Sequence, residues 1–247
     1  MLSDAYKAAF KDMVDSFVLN IRRNRKYEKD KKYCMFYPCV GKAFSQNPEL
    51  LVIGRACNGW KSEWSCEDSE AIQSACLQII ADAENEKECR MAWLQKNWDG
   101  NEHSDYNTRR SAFWRVTKDI VQKSTGASEQ SWTSHIAWSN ICKISPYDGG
   151  NPKTAEWEAQ IQACSELVRD EINELKPRNV LLITDVSWAR EFFECIGHSP
   201  SKVQDNKIVQ DIFQYNHSRI ITTIRPEHTN NHQYADEVLM AMSIPLK

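Results

Sequence analysis

Polar residues follow three apolar runs in this sequence, at the points where each run stops. The runs cover residues 50–53, 134–139 and 219–224, and they stop at Gly54, Asn140 and Arg225. Such runs are typical of buried parallel strands, whose carboxyl ends meet at one edge of a sheet and bind ligands there. The Asn140 amide offers a donor and an acceptor, and the Arg225 guanidinium offers donors and positive charge. The spacing therefore predicts one polar pocket built from three strand ends.

The elements that must carry these strand ends alternate along the chain. Apolar residues at helical spacing predict helices over 3–27, 108–124, 154–176, 186–196 and 232–243. A fourth buried run covers 180–183, and 208–214 has the character of an additional strand. Alternating strands and helices indicate a parallel sheet with helices on both faces. We expect an α/β fold, a three-layer α/β/α sandwich around a central, mainly parallel four-stranded sheet.

The chain is predicted to form a single domain over residues 1–247, since no linker, repeat or low-complexity tract divides it. Residues 1–30 are expected to form an N-terminal helix with Ser3 as its N-cap. Residues 61–133 are expected to form a mainly helical insertion, and both segments are expected to pack on the domain. The polar segment 99–107 within the insertion predicts a loop or lid.

Composition restricts the class of protein. The 247 residues carry a formal net charge of −3, so any contact with nucleic acid requires a local basic patch. Nine cysteines occur without a recognisable signal peptide, and no apolar run is long enough to span a bilayer. We therefore expect a cytoplasmic location, no membrane partner and mostly buried free thiols.

Several common catalytic motifs are missing. No P-loop and no Gly-x-Ser-x-Gly elbow are present, which counts against P-loop NTPases and α/β-hydrolases. Cys34 and Cys39 lie close together, but no second tight cysteine pair accompanies them, so the spacing does not indicate structural zinc. His228 and His232 have helical spacing without an evident third ligand. We expect no metal and no cofactor.

Three segments resemble the uracil-DNA glycosylase superfamily. They are Val52-Ile-Gly-Arg-Ala-Cys-Asn-Gly-Trp60, the block from Trp138-Ser-Asn-Ile-Cys-Lys143 to Leu175-Lys-Pro177, and Ile224-Arg-Pro-Glu-His228. In that superfamily the first loop holds the catalytic water and one side of the base, the second reads the base through an Asn, and the third inserts into DNA. The similarity covers about residues 50–60 and 134–240, and the middle block is its most specific part.

The resemblance implies a uracil-DNA glycosylase-like fold and a monofunctional DNA glycosylase. Such an enzyme rotates a base out of the duplex before it cuts the glycosidic bond. Asn140 is implied as the residue that reads the pyrimidine edge, although an Asn at a strand end can also simply cap the loop. Gly54, Arg55 and Ala56 are implied as the opposite side of the base pocket.

The sequence departs from the superfamily at the catalytic positions. Ala56 stands where many relatives carry Asp or Asn, and Arg225 stands where the family His is expected. Asn58 can orient the water instead, or it can be a turn residue before Gly59. Arg225 and His228 are the expected donors to the departing base. Three carboxylates can substitute for the missing one or serve only structure: Asp148, Asp185 and Glu227.

These departures also bear on the substrate. Asn58 replaces a Tyr that closes the pocket around the 5-position of the ring in the uracil-specific branch, so we expect a more open pocket and a 5-substituted pyrimidine. Aromatic side chains can stack on a flipped base. Trp60 and Phe113 are the expected platforms, with Trp64 and Trp114 as further aromatic residues that can equally belong to the core.

DNA is the implied partner of a protein expected to be monomeric. The side chains expected to contact DNA are Arg22, Arg23, Arg109, Arg110, Lys143 and Pro226. The basic segment that follows Arg22 can also be an ordinary solvated helix end. One branch of the superfamily holds an iron–sulfur cluster, but the cysteine spacing differs here and predicts none.

Three alternatives remain open on the sequence. The first is a glycosylase that removes glucosylated hydroxymethylcytosine from phage DNA in defence, as some members of the superfamily do. The second is a catalytically inactive nucleic-acid-binding module on the same fold, because the first loop lacks its carboxylate. The third is an enzyme that acts on free nucleotides.

Overall fold

The computed structural model of the protein describes residues 2–57, 59–60, 62–85, 89–100, 106–201, 203 and 206–245. These residues include eight α-helices and nine strands. Within those residues, no helix has the length and apolar content needed to cross a membrane. In chain order the elements are α1 (Asp4–Arg23), β1 (Lys32–Met35), β2 (Cys39–Val40), β3 (Leu50–Gly54), β4 (Trp64–Ser65), α2 (Ser69–Glu84), α3 (Ala92–Trp98), α4 (Ala112–Thr125), β5 (Ile136–Asn140), β6 (Ile144–Pro146), α5 (Thr154–Glu158), α6 (Ile161–Leu175), β7 (Asn179–Ile183), α7 (Arg190–Cys195), β8 (Val209–Tyr215), β9 (Ser218–Thr223) and α8 (Asn231–Ser243).

The main sheet has six strands in the order β2-β5-β3-β7-β9-β8. Its four inner strands are parallel and correspond to the four predicted core runs, whereas β2 and β8 pair antiparallel at the two edges. The predicted α/β class and mainly parallel sheet are therefore confirmed. The sheet has two more strands than the four predicted. One of them, β8, corresponds to the additional strand expected over 208–214, whereas β2 was not predicted.

The parallel strands end level with one another. Gly54 pairs with Asn140 across β3 and β5, and Ile183 pairs with Thr223 across β7 and β9. In sequence order the parallel strands lie second, first, third, fourth across the sheet. Successive strands are therefore added on one side of β3 and then on the other, so the strand order reverses between β3 and β7. A crevice opens at such a reversal, outside the carboxyl ends of the strands.

Helices cover both faces of the sheet because successive strand side chains point to opposite sides. Leu50 and Val52 of β3 pack in a core with α3, α4 and α8. Leu51 and Ile53 pack in a second core with α6 and α7. This alternation explains why all five residues of β3 are buried.

A second, smaller sheet supports the N-terminal helix. It has the order β4-β1-β6 and is antiparallel. Its side chains share a third core with α1, α2 and α6. No pattern in the sequence predicts this sheet. Strands of two to four residues are too short to show a period of their own.

The helix expected over 154–176 is interrupted near residue 160. Gln160 separates α5 from α6, and its side chain pairs with the edge of β6 as a strand would. Its Oε1 accepts the Ile144 N–H at 2.9 Å, and its Nε2 donates to the Ile144 carbonyl at 2.9 Å. The side chain satisfies the backbone of a buried residue, which accounts for the break.

A fully buried ion pair lies behind the end of β5. The Lys143 ammonium donates to Ser139 Oγ and to the Asn140 carbonyl at 2.7 Å each, and it lies 2.6 Å from Glu171 Oε1 on α6. The Tyr6 hydroxyl on α1 donates to the same Glu171 oxygen at 2.5 Å. Burial, together with the Glu171 charge, raises the pKa of Tyr6, so the hydroxyl stays protonated as a donor. Three acceptors therefore serve the three N–H donors of Lys143.

We expect Lys143→Met to lower the free energy of unfolding by about 3–5 kcal/mol, because Glu171 would keep a buried charge without its partner. The double variant Lys143→Met/Glu171→Met should lose less than the sum of the two single variants. Urea unfolding followed by tryptophan fluorescence measures each value.

The matched control is Lys123→Met, which removes an ammonium from the exposed ion pair with Asp236 and should change stability by less than about 0.5 kcal/mol. Equal losses of unfolding free energy in Lys143→Met and Lys123→Met would contradict the conclusion that the buried Lys143–Glu171 pair must stay intact for stability.

Candidate functional site

A cavity of about 1110 Å³ opens at the carboxyl edge of the parallel strands. It lies at the crevice between β3 and β7 and is also lined by the segments before α4, after β6 and between β9 and α8. Residues from all three predicted strand ends line it: Gly54, Arg55, Ala56, Trp60, Asn140, Arg225, Pro226 and His228. The prediction that these three strand ends form one pocket is confirmed.

The floor of the cavity is a close contact between two neighbouring strands. Asn140 is buried, and its carboxamide lies directly over Gly54. A Cβ atom on Gly54 would lie 2.6 Å from the amide and 3.5 Å from Phe113 Cε2. Only glycine leaves room for this arrangement. The amide orientation that satisfies hydrogen bonding directs Nδ2 to the carbonyls of Ala56 and Ser139, both at 3.3 Å.

Tryptophan side chains form one wall. Trp138 lies two residues before Asn140, and its ring centroid is 5.3 Å from that of Trp60, 5.7 Å from Trp93 and 5.0 Å from Trp114. Phe113 extends the wall from Trp114 at 4.8 Å. All five side chains line the cavity. Trp114 and Trp138 are buried, whereas Trp60, Trp93 and Phe113 are partly exposed and offer apolar surface to an aromatic ligand.

The Arg55 guanidinium makes its contacts within the protein. Its Nε donates to the Thr184 carbonyl at 3.0 Å, its Nη2 donates to Asp185, and it lies over the Trp188 ring at 4.9 Å. Asp185 itself has a φ of 71°, an uncommon conformation for a residue with a side chain. Arg55 therefore ties the first loop to the end of β7. Asp185 is not among the described residues that line the cavity.

The lip of the cavity is the turn between β9 and α8. Tyr234 on α8 holds its start, because the hydroxyl shares a hydrogen bond with Thr223 Oγ1 and donates to the Ile224 carbonyl at 2.8 Å. Arg225 donates to Glu227 within the turn. His228 is exposed and has a φ of 68°. A conformation that costs free energy in a non-glycine residue persists where surrounding contacts enforce it.

A pair of buried thiols holds the first loop from below. Cys34 Sγ lies 3.6 Å from Cys57 Sγ and accepts the Trp60 N–H at 3.1 Å. The hydrogen bond from Cys57, supported by the N–H groups of Trp60 and Gly59, holds the pKa of Cys34 below its usual range although burial opposes the shift. All nine cysteines are free of disulfide bonds, as expected.

Not every predicted residue belongs to the site. Asn58 lies outside the described residues. Arg110 lines the cavity, whereas Arg22, Arg23 and Arg109 do not.

Two of the predicted DNA contacts have partners within the protein. The Arg22 guanidinium donates to the Cys66 carbonyl and that of Arg109 to the Trp98 carbonyl. The prediction that Lys143 contacts DNA is wrong, because its ammonium is fully buried against Glu171.

Sequence reasoning missed several lining residues, among them Trp93 and Tyr147, and gave Glu227 no more weight than Asp148 and Asp185. Glu227 is the one carboxylate among the described residues that line the cavity. Trp138 could have been predicted as a lining residue, because it lies two residues before Asn140 and residues i and i+2 of a strand share a face. Trp93 offered none, because its place in the wall depends on how α3 packs.

Gly54→Ala should destabilise the protein by about 1–3 kcal/mol through overpacking and should displace the Asn140 amide. Gly197→Ala is the control, since a Cβ there meets nothing within 4 Å and only its positive φ opposes the change. The chemical shift of the Asn140 side-chain amide, measured by NMR in both variants, separates the effects. An unmoved Asn140 signal in Gly54→Ala would refute the contact.

Neither of two comparisons with known proteins finds a relative. No protein-family model matches the chain, and no curated protein matches it. The likeness to uracil-DNA glycosylases therefore depends on the three loops described above, and their chemistry has to be argued from the geometry of the cavity.

Proposed function

We propose that this protein is a DNA glycosylase that binds a flipped, non-standard pyrimidine and hydrolyses its N-glycosidic bond. The observation that carries the proposal is the buried Asn140 amide, which lies over Gly54 on the floor of a cavity lined by tryptophans. A flat heterocycle fits against the aromatic wall, and the amide is placed to recognise its polar edge.

The Asn140 amide is positioned before any ligand arrives. Its Nδ2 faces the carbonyls of Ala56 and Ser139, and the Lys143 ammonium binds the backbone carbonyl of Asn140 from behind. A group that is already ordered loses little conformational entropy on binding. It also discriminates, because a ligand without the matching polar edge would leave a buried amide unsatisfied.

The lip supplies groups for hydrolysis. The C1′–N1 bond breaks with its electron pair leaving on the base, and the oxygen of a water molecule bonds to C1′. We assign Glu227 to orient this water and accept its proton, since it is the carboxylate that the described lining offers. Arg225 and His228 stabilise the negative charge on the departing base. The Arg225–Glu227 contact keeps the two charges in a fixed relation.

The size of the cavity favours a bulky base. Its volume of about 1110 Å³ exceeds the roughly 300–1,000 Å³ that is usual for drug-sized ligands. A bare pyrimidine fills a small part of this space, whereas a pyrimidine with a large 5-substituent fills more of it. We therefore include glucosylated 5-hydroxymethylcytosine, the base of modified phage DNA, as a second candidate substrate.

Two cations at the rim suit a DNA backbone. Arg110 and Arg225 are exposed at the mouth of the cavity. Pro226, which was also predicted to contact DNA, is buried. Arginine is well matched to phosphate oxygens because its donors are planar and always charged. We assign these two arginines to the strand that carries the flipped nucleotide.

The direct test is base release from single- and double-stranded DNA that carries uracil, 5-hydroxymethylcytosine or its glucosylated form. Abasic sites are detected by alkaline cleavage of the strand, and the free base by chromatography. We expect release of a 5-substituted base. Binding without release from every substrate would favour the inactive module, and release from free nucleotides would favour a nucleotide enzyme.

Asn140→Ala should slow base release by about 10- to 100-fold, since the loss of one buried hydrogen-bonding group costs about 1–3 kcal/mol. Glu227→Gln should slow it by about 100-fold or more while binding is retained. Asn173→Ala is the matched control, because Asn173 pairs with Asn216 on the surface. Single-turnover rates on the best substrate give all three values. Wild-type rates in both site variants would remove the assignment.

A further inference from the structure

A second groove lies beside the main cavity. It has a volume of about 790 Å³ and is lined by the segment before β1 and by the loop after β6. Tyr147 and Asn151 line both spaces, so the loop that carries them is the ridge between the two. A chain bound in the main cavity that extends past this ridge enters the second groove.

The ridge is held in place by its backbone. The Tyr147 N–H donates to the Lys32 carbonyl at 3.0 Å, and the Gly149 N–H donates to the Pro146 carbonyl at 3.2 Å. Gly59 of the first loop packs closely against the ridge, and a Cβ on Gly59 would lie 3.1 Å from the Tyr147 carbonyl oxygen. The Tyr147 side chain is nevertheless 42% exposed. The result is an aromatic ring presented to solvent on an anchored backbone.

The groove contains two lysines that have no ion-pair partner among the described residues. Lys31 and Lys32 pair with Glu156 and Glu63, and neither of these carboxylates lines the groove. Lys29 and Lys153 are both exposed. In the part of the chain that the structure describes, neither has a carboxylate oxygen within 4.0 Å of its ammonium.

The acidic residues of the groove do not prevent Lys29 and Lys153 from binding a phosphate. Glu28, Asp30 and Asp148 also line it, so its formal charge is close to balance. An exposed ammonium without a bound carboxylate still exchanges its counterions for a phosphate. The neighbouring carboxylates limit the gain, and for this reason the affinity must be shared with a stacking contact on the ridge.

We propose that the ridge and groove bind the DNA strand next to the flipped nucleotide. Tyr147 stacks on the adjacent base, and Lys29 and Lys153 bind the phosphates that follow it. This inference rests on the proposed function for the location of the flipped base. It predicts that the protein holds several nucleotides on one side of the target and makes no use of the groove for a free nucleotide.

Binding of fluorescein-labelled single strands carrying one 5-hydroxymethylcytosine tests the proposal. One strand has about 12 nucleotides with the modified base in the centre, and another has about three, too few to cross the ridge. Tyr147→Ala should weaken binding of the long strand by about 10-fold. The double variant Lys29→Gln/Lys153→Gln should reduce the slope of log affinity against log salt by about 1.4. Binding of the short strand should not change in the lysine double variant, because this strand ends before the phosphates that Lys29 and Lys153 would bind.

The matched control is Lys42→Gln/Lys176→Gln. It removes two exposed lysines near the amino ends of the parallel strands, away from the cavity and the groove. Lys42 follows β2 beside the start of β5, and Lys176 precedes the start of β7. The proposal would be overturned if both test variants had the same affinity and the same salt slope as the control variant. An equal loss of binding for the short and the long strand in the lysine double variant would overturn it as well.

Base release from the short strand separates this proposal from the proposed function. If no strand loses its base but the length-dependent loss of binding is observed, the glycosylase assignment fails and the groove remains. If the short and long strands lose their base and the groove variants bind both normally, the groove assignment alone fails.

Discussion

The buried ammonium of Lys143 fixes the end of the strand that carries the site. A charge taken out of water costs several kcal/mol unless it is fully compensated. Here Ser139 Oγ, the Asn140 carbonyl and Glu171 supply the compensation. Because Glu171 belongs to α6 and also binds Tyr6 of α1, the N-terminal helix and the pocket floor are parts of one polar network. A helix remote in sequence is therefore linked through two side chains to the backbone of Asn140.

The second constraint is the space above Gly54. Parallel register sets Gly54 level with Asn140, and the lack of a Cβ lets the amide lie across the strand end. The cavity opens there because strand order reverses between β3 and β7, so the loops leave the sheet in opposite directions. Strand order determines where the pocket lies, and one glycine determines what covers its floor.

The limits of sequence reasoning follow from the range of the interactions. The parallel core was predictable, since runs such as 180–183 are apolar throughout and buried strands on both faces require this. Asn140 was predictable as a pocket residue from its place at a strand end. Lys143 was not, because a lysine three residues after that strand end has the pattern of a surface cation until Glu171, far along the chain, is brought against it. The small sheet and the break at Gln160 likewise depend on partners that no local pattern indicates.

Pairing of charges explains how a chain with net charge −3 can present a cationic site. Arg55 and Arg225 are each held by a nearby carboxylate, Asp185 and Glu227, which orients the guanidinium but also reduces its field. At physiological ionic strength charges act over about 8 Å, so a phosphate at the mouth of the cavity responds to the local groups and not to the total. Arg110 at the rim then contributes more to attraction than its share of the formal charge suggests. The acidic balance of the whole chain would limit long-range steering of the proposed DNA ligand, so its binding would depend on contacts made after encounter.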